Sequence, residues 1–574
     1  MDALAALVVA LIPLILHAVR GFPSLANSGG DNDSVLRLVQ VRDLLGGQGW
    51  FDMTQYRMGL EGGFPMHWSR LVDAPLALLV ALFGETAALV IWPTALFALS
   101  LFLIIRATRQ IGGAAAQLPA AALGGLALHF INVFRPGAID HHNVQLTLTL
   151  ATLLFLIGAR RSGPAGWLAG TCAGLMLAVG METAPYVAVA CAIAALCFLS
   201  GGEANVRLAR NYGAGFAISS ALALAVTSPM RDRFAVHCDA LSFPQTSLAL
   251  LGGGGLCLIA LTPVLRATSF RRFVALGALG FLAAVAILSA FPQCVAAPYA
   301  SLDPRLQSFL IDNISEAQSL LSTLRGAPAM LAVYYGTPVL AIILIGLTFA
   351  RQGWNRDRAL TAAFLAAAVL VAFWQLRGAT FAIPLAVIPL AAWVAVVRRR
   401  AEKARGLVPQ LALAGAWLVS ANLFWQLGAM ALSSATAEAA SDDEEAAKCY
   451  AKTDYAPLAA LPPGTVVGIT NMGSSVLAYT PHRALAGPYH RNAGGIDAML
   501  DVMMAAPDEA KAVVQRAQAS IVAVCPGNPE TSFIAEWAPN GLLAGLLKGK
   551  APDWLERVES TADQPIVIYT LRGS

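Results

Sequence analysis

Charge is what this sequence has least of. Of its 574 residues, 13% are Asp, Glu, Lys or Arg, about half the roughly 25% of a soluble globular protein. Hydrophobic residues make up 57%, and they run in blocks of about 20, enough to cross roughly 30 Å of hydrocarbon. An ordinary soluble enzyme is therefore excluded. A basic face is also missing: Lys and Arg sit in short clusters between apolar blocks, which leaves no nucleic-acid partner. The eight cysteines show no CxxC or Cys/His zinc spacing, so a metal-thiolate site is not expected. Most of them lie inside apolar blocks, where Cys behaves as a small hydrophobe. No period of about 20–50 residues marks a repeat array. The first apolar stretch, Met1 to Val19, has neither a basic n-region nor a small-residue cleavage site before Arg20, so it reads as an uncleaved first span.

What is present is a ladder of apolar blocks, near 2–19, 86–106, 114–131, 143–159, 165–181, 184–200, 211–227, 247–265, 273–291, 329–349, 359–376, 379–397 and 408–432. Each must be helical, because lipid offers no partner to backbone amides. Residues 71–83 are apolar too and are expected to form a half-buried or interfacial helix. Cationic clusters fall in every second loop: Arg106 and Arg109; Arg160 and Arg161; Arg207 and Arg210; Arg266, Arg271 and Arg272; Arg351, Arg356 and Arg358; then Arg398, Arg399, Arg400, Lys403 and Arg405. Such loops are cytoplasmic by the positive-inside rule. The expectation is a mostly α, multi-pass protein of the inner (plasma) membrane with about thirteen spans. Its N-terminus is cytoplasmic and its C-terminal part periplasmic or extracellular. The outer side then carries two long loops, 20–72 and 292–328, and shorter ones near 132–142, 228–246 and 377.

The transmembrane domain is expected to cover 1–432. The tail, 433–574, differs in kind. Ser441 to Lys448 is an acidic linker or helix start. Thr465 to Ile469, Ile521 to Val524 and Ile566 to Leu571 read as strands, and Asp508 to Ala519 as a helix. Strands alternating with helices indicate a small α/β domain.

The chemistry-bearing residues collect in the outer loops. Asp31-Asn32-Asp33 precedes Arg37 and Arg42-Asp43 in an amphipathic stretch, Val35 to Leu45. Two carboxylates at this spacing suit a hard divalent cation; equally, Asp before an amphipathic helix is an ordinary N-cap. Arg135 to Asn143 reads Arg-Pro-Gly-Ala-Ile-Asp-His-His-Asn. Asp140 and His142 at a membrane surface are costly unless they function, and they would complete a metal site with Asp33; a cap for the following helix is the alternative. The third outer loop holds Asn313-Ile314-Ser315-Glu316-Ala317-Gln318. Arg377 stands between two apolar blocks, where it would hold a lipid phosphate by its fork or snorkel. Glu85 and Glu182 near span ends read as interfacial or capping groups without chemistry.

In layout and in these motifs the chain resembles the catalytic subunit of oligosaccharyltransferase, of the GT-C glycosyltransferase superfamily. Asp33 followed by Arg42-Asp43 is similar to the first acidic motif, and Gly137 to His142 to the second in its Asp-His-His form. Asn313 to Gln318 resembles the motif whose Glu faces the acceptor. Leu376-Arg377 followed by Ala382-Ile383-Pro384 resembles the segment whose Arg binds the lipid-linked pyrophosphate. The departure lies at Ile469-Thr470-Asn471-Met472-Gly473, where the family's Trp-Trp-Asp-Tyr-Gly motif reads the Ser/Thr of an acceptor sequon. Only the Gly is kept, which sets N-glycosylation aside as an expectation. Tyr489, His490 and Arg491, in a polar and aromatic stretch, are candidates for acceptor or sugar contact, with a plain surface loop as the alternative.

The resemblance implies transfer of a sugar or oligosaccharide from a polyprenyl-(pyro)phosphate donor to a protein or glycan acceptor at the outer face. A divalent metal, Mn2+ or Mg2+, would sit on Asp33, Asp140 and His142, His tilting the preference to Mn2+. It would act as a Lewis acid on the leaving phosphate, with Arg377 adding positive charge. Glu316 would orient the acceptor, and Asp31 would serve as general base for a hydroxyl acceptor. The alternative enzyme uses a polyprenyl monophosphate sugar to modify a glycan or lipid. A lipid-linked-glycan transporter is the reading from another class. It is disfavoured because a transporter places polar groups mid-span, and here they cluster in loops.

Overall fold

The computed structural model describes residues 1–27, 31–295, 303–311, 315–404, 406–433, 449–559 and 564–572. Arg405, Asn313, Ile314 and the linker 441–448 lie outside the described residues. The chain is mostly helical, and each of the thirteen apolar blocks carries a helix. Among the described residues, eight helices are long and apolar enough to cross a membrane, or nine if a bent pair counts as one span. Ala114–Phe130, His142–Gly158 and Gly163–Val179 are apolar but shorter. Glu203–Thr227 is long, but its first turns carry Glu203, Arg207 and Arg210. The expectation of thirteen spans therefore depends on counting these four as spans.

The block 408–432, expected as one span, is broken: Leu407–Ser420 and Asn422–Ser433 meet at a bend of 78°. Asn422 at the break bonds its side chain to Thr337 (3.0 Å) and to the Val333 carbonyl (3.4 Å). A polar group satisfied in this way fixes the bend against the neighbouring helix Ala329–Gln352.

The cationic clusters meet at one end of the bundle. Asp2 pairs with Arg106 at 3.2 Å and with Arg109. Arg161 reaches Gln110 (3.2 Å) and Asp357 (3.1 Å), Arg207 the Arg160 carbonyl (3.3 Å), and Arg272 the Leu199 carbonyl (3.2 Å). Two helices, Gly163–Val179 and Glu203–Thr227, touch backbone to backbone. A Cβ at Gly170 would strike the Tyr212 carbonyl, and one at Gly174 the Ser219 hydroxyl. Gly166, Gly170 and Gly174 are spaced four apart, the small-residue stripe that lets membrane helices approach closely.

The C-terminal domain is built on a five-stranded mixed sheet. Counting two short strands of the first loop, β1 (Thr54–Gln55) and β2 (Phe64–Pro65), its strands are β3 (Thr465–Val467), β4 (Arg483–Ala484), β5 (Ile521–Val524), β6 (Leu555–Arg557) and β7 (Val567–Leu571). The order is β4-β3-β5-β7-β6. β3 pairs in parallel with β4 and β5, and β7 runs antiparallel to β5 and β6. The helix expected at 508–519 is Pro507–Arg516. Disulfides join Cys449 to Cys525 and Cys238 to Cys294; Cys172, Cys191, Cys197 and Cys257 are free.

Packing crosses the expected division at 432/433. Leu36, Val39, Met58, Phe64, Met66 and Trp68 of the first loop share one buried cluster with the C-terminal domain, as do Leu306 and Phe309 of the later loop. Helix Arg70–Phe83, expected to be interfacial, is held through a buried triad. Asp73 binds Arg37 at 2.6 Å and Arg70 at 3.2 Å, with all three side chains at most 1% exposed.

Candidate active site

Asp31 caps helix Asn32–Leu45, its carboxylate accepting the Ser34 amide at 2.7 Å. The capping reading therefore describes what one Asp31 oxygen does. The helix then buries every residue from Ser34 to Val41, more than an amphipathic surface stretch would. Ser34, next to Asp33, accepts the amides of Ile139 (3.2 Å) and Asp140 (3.3 Å) through its hydroxyl. Two acidic motifs a hundred residues apart in sequence are thus joined by one side chain.

Asp140 sits between two imidazoles. His141 and His142 each turn Nδ1 to one of its oxygens, and the rings stack with centroids 4.6 Å apart. One ligand-capable atom from each of Asp140, His141 and His142 falls within 4.8 Å of the others. The set expected from sequence differs: His141 joins, and Asp33 stands outside that radius while remaining in the same electrostatic neighbourhood. Burial, then the charges of Asp140 and Asp31, push the Asp33 carboxyl up to about 8. Burial and Asp140 likewise raise Asp31. Burial would raise Asp140 too, but the charges and hydrogen bonds of His141 and His142 outweigh it and hold it well below the usual range. For His141, burial acts downward, yet Asp140 and Glu182 lift it to about 9. Arg37 braces the cluster, its Nη2 lying 3.3 Å from His141 Nδ1 and its guanidinium 4.5 Å above the Trp68 ring.

Glu182 carries the site onward. Its carboxylate meets His141 Nε2 (3.2 Å), Gln145 Nε2 (2.6 Å) and Arg377 Nη1 (3.5 Å). Sequence reading assigned this residue no chemistry; the structure places it between His141 and Arg377. Gly180 makes the approach possible: a Cβ there would strike Gln145 Nε2 and lie 3.1 Å from the Glu182 carboxylate. Arg377 opens into a cleft of about 940 Å3 that Glu316, Asn132, Tyr334 and Gln426 also line, with apolar walls from Ile383 and Met430. The Leu376 amide donates to the Gln318 carbonyl at 2.9 Å, which seats the Glu316 segment beside Arg377. Glu316 itself is exposed.

The remaining candidates are committed elsewhere. Tyr489 is buried, its hydroxyl bonded to Ser474 (2.9 Å) and donating to the Asn32 carbonyl (3.0 Å). His490 and Arg491 bind Asp239. Arg42 forks onto Glu85 at 2.7 and 2.8 Å, and Asp43 accepts from Gln55. Asn471, in the segment that departs from the family pattern, accepts from Asn32 Nδ2 at 3.1 Å. Glu530 receives the Thr470 and Asn471 amides at 2.7 and 2.9 Å.

The donor set fits a divalent cation: a carboxylate from Asp140 with the imidazole nitrogens of His141 and His142, and His142 Nε2 buried with no hydrogen-bond partner. No protein-family model matches the chain, and no curated protein does. Solved structures do. The apo oligosaccharyltransferase of Archaeoglobus fulgidus superposes with a TM-score of 0.64 at 16% identity, covering 98% of this chain and 75% of that one. The oligosaccharyltransferase AglB of the same archaeon, in complex with an inhibitory peptide and a dolichol-phosphate, gives 0.64 at 15% identity, covering 97% and 72%. A complex of the archaeal enzyme with Zn and sulfate gives 0.60 at 14%, covering 95% and 70%. The chain therefore shares the fold of these archaeal oligosaccharyltransferases.

Proposed function

We propose that this chain is a membrane glycosyltransferase. It moves a sugar or oligosaccharide from a polyprenyl-(pyro)phosphate donor to an acceptor on the outer side of the membrane. The observation that carries this reading is the bridge from Asp140 and His141 through Glu182 to Arg377, opening on a cleft with apolar walls. A lipid phosphate needs positive charge at its head and hydrocarbon along its tail, and this cleft offers both.

Asp140, His142 and Asp33 would hold the divalent ion, with His141 beside them; once bound, it supplies Lewis-acid neutralisation of the departing phosphate. Arg377 presents its guanidinium to the phosphate oxygens, and Glu182 fixes the orientation of both Arg377 and His141. Glu316, which lines the same cleft as Arg377, orients the acceptor nucleophile. Asp31 spends one oxygen on its helix cap, so a base role for a hydroxyl acceptor falls to the other. Both disulfides belong to outer-loop and C-terminal segments. Disulfides persist in oxidising compartments, which supports an extracytoplasmic site, with the arginine-rich end facing the cytoplasm. The archaeal relative's dolichol-phosphate supports a polyprenyl donor.

The acceptor reading departs from that relative. Thr470-Asn471-Met472 stands where a sequon-reading motif would, and Asn471 is already bonded to Asn32. This favours a glycan or lipid acceptor and keeps the polyprenyl-monophosphate donor as a second reading. Reconstituted full-length protein, given labelled sugar on polyprenyl monophosphate and on pyrophosphate, should cleave one of the two. Release from neither donor, with lipid acceptors and peptides both supplied, contradicts the proposal.

A further inference from the structure

A second cluster of ligand-capable side chains lies apart from the one just described. His67 of the first loop, Asp239 of the loop 228–242 and His490 of the C-terminal domain each bring one ligand-capable atom within 4.8 Å of the others. The His67 and His490 rings lie 4.7 Å apart at 50°. His490 Nε2 meets Asp239 at 2.8 Å. His67 Nδ1 is buried and has no hydrogen-bond partner. A buried imidazole nitrogen is seldom left unsatisfied, because it keeps its desolvation cost without a bond in return. Trp68 stands between the two clusters, its ring 6.3 Å from His67 and 6.0 Å from His141, so the groups are neighbours without shared residues.

We infer that His67, Asp239 and His490 form a second metal site, for a borderline divalent ion of the zinc class. Two imidazoles and one carboxylate are a common zinc donor set, with a fourth position left to water. Arg491 decides which class of ion fits. It grips both Asp239 oxygens at 2.8 Å, which orients the carboxylate as an outer partner does in metal sites. Its charge also opposes a second cation. A hard ion such as Mg2+, relying on carboxylate charge, is thereby disfavoured, whereas an ion bound mainly through neutral imidazoles is not.

The placement gives the ion a structural task. Its three ligands come from three segments distant in sequence, and Asp239 follows Cys238, whose disulfide to Cys294 ties the loop to the end of helix Ser269–Ala290. The ion staples that loop and the first loop to the C-terminal domain beside the catalytic cluster.

Cobalt is the probe, because its visible absorption reports nitrogen and oxygen ligands directly. Metal-free, full-length protein in detergent is titrated with Co2+, as wild type and as an Asp140→Asn/His142→Ala chain that blocks the first site. Wild type is expected to bind two equivalents and the blocked chain one. Adding either His67→Ala or His490→Ala to the blocked chain is expected to abolish that remaining equivalent. A wild-type chain whose single equivalent is lost in the blocked chain overturns the inference, as does a blocked chain that binds none while unfolding at the wild-type temperature. Undiminished cobalt absorption after both histidine substitutions overturns it as well.

Discussion

Glu182 holds groups from three segments in one carboxylate: His141, Gln145 on the helix that follows, and Arg377 from nearly two hundred residues away. Partners that orient a metal-site histidine matter nearly as much as the ligands. Glu182→Gln is therefore expected to lower turnover or metal affinity by about 10–100-fold while the chain inserts and folds normally. Turnover within about twofold of wild type would remove Glu182 from the site. Sequence pointed to Asp33, Asp140, His142, Glu316 and Arg377 because charged and imidazole groups in loops are conspicuous against an apolar chain. Glu182 read as an interfacial or capping group because it stands at the start of an apolar block, where an acidic residue passes for a cap. A usable signal lay beside it: Gly180, two positions earlier, leaves the room through which His141 and Gln145 reach the carboxylate.

Among the elements, helix Arg70–Phe83 and its buried triad make the clearest demand. Removing the Asp73 carboxylate leaves Arg37 and Arg70 buried without their shared counter-charge. Asp73→Ala should cost about 3–5 kcal/mol of stability, read as a lowered unfolding midpoint of the full chain. A loss under about 1 kcal/mol would mean that water reaches the triad and behaves there as at an exposed pair. Helix positions were readable from hydrophobic block length, since lipid enforces helices wherever backbone amides lack water. The break at Ala421 was not, because it depends on Asn422 finding Thr337 and Val333 across a helix boundary. The glycine stripe at 166, 170 and 174 takes its meaning from the helix packed against it, which only three dimensions supply. The short strands β4 and β6 carry too few residues to show alternation.

For the whole molecule, the first long loop, the later loop and the C-terminal domain pack together against one another. They share a buried core and are joined by the Asn32 contacts to Asn471 and Tyr489. A sequence boundary at 432 follows the change in composition and misses this sharing, because loop residues such as Trp68 and Phe64 find their partners 400 residues onward. The Cys449–Cys525 bridge closes the domain near its entry; replacing both cysteines by alanine should lower domain stability by about 2–4 kcal/mol. An unchanged midpoint under oxidising conditions would show that the bridge adds nothing.

The most direct test of the central claim is transfer of labelled sugar from a polyprenyl-phosphate donor by reconstituted protein. Wild type would be compared with Asp33→Ala and Asp140→Ala, each with and without a chelator of divalent ions. Transfer by wild type that stops on chelation, returns with added divalent metal and is absent from both variants is the expected result. Wild-type transfer rates in either correctly inserted variant, or rates indifferent to chelation, would contradict the metal-assisted site proposed for the outer loops.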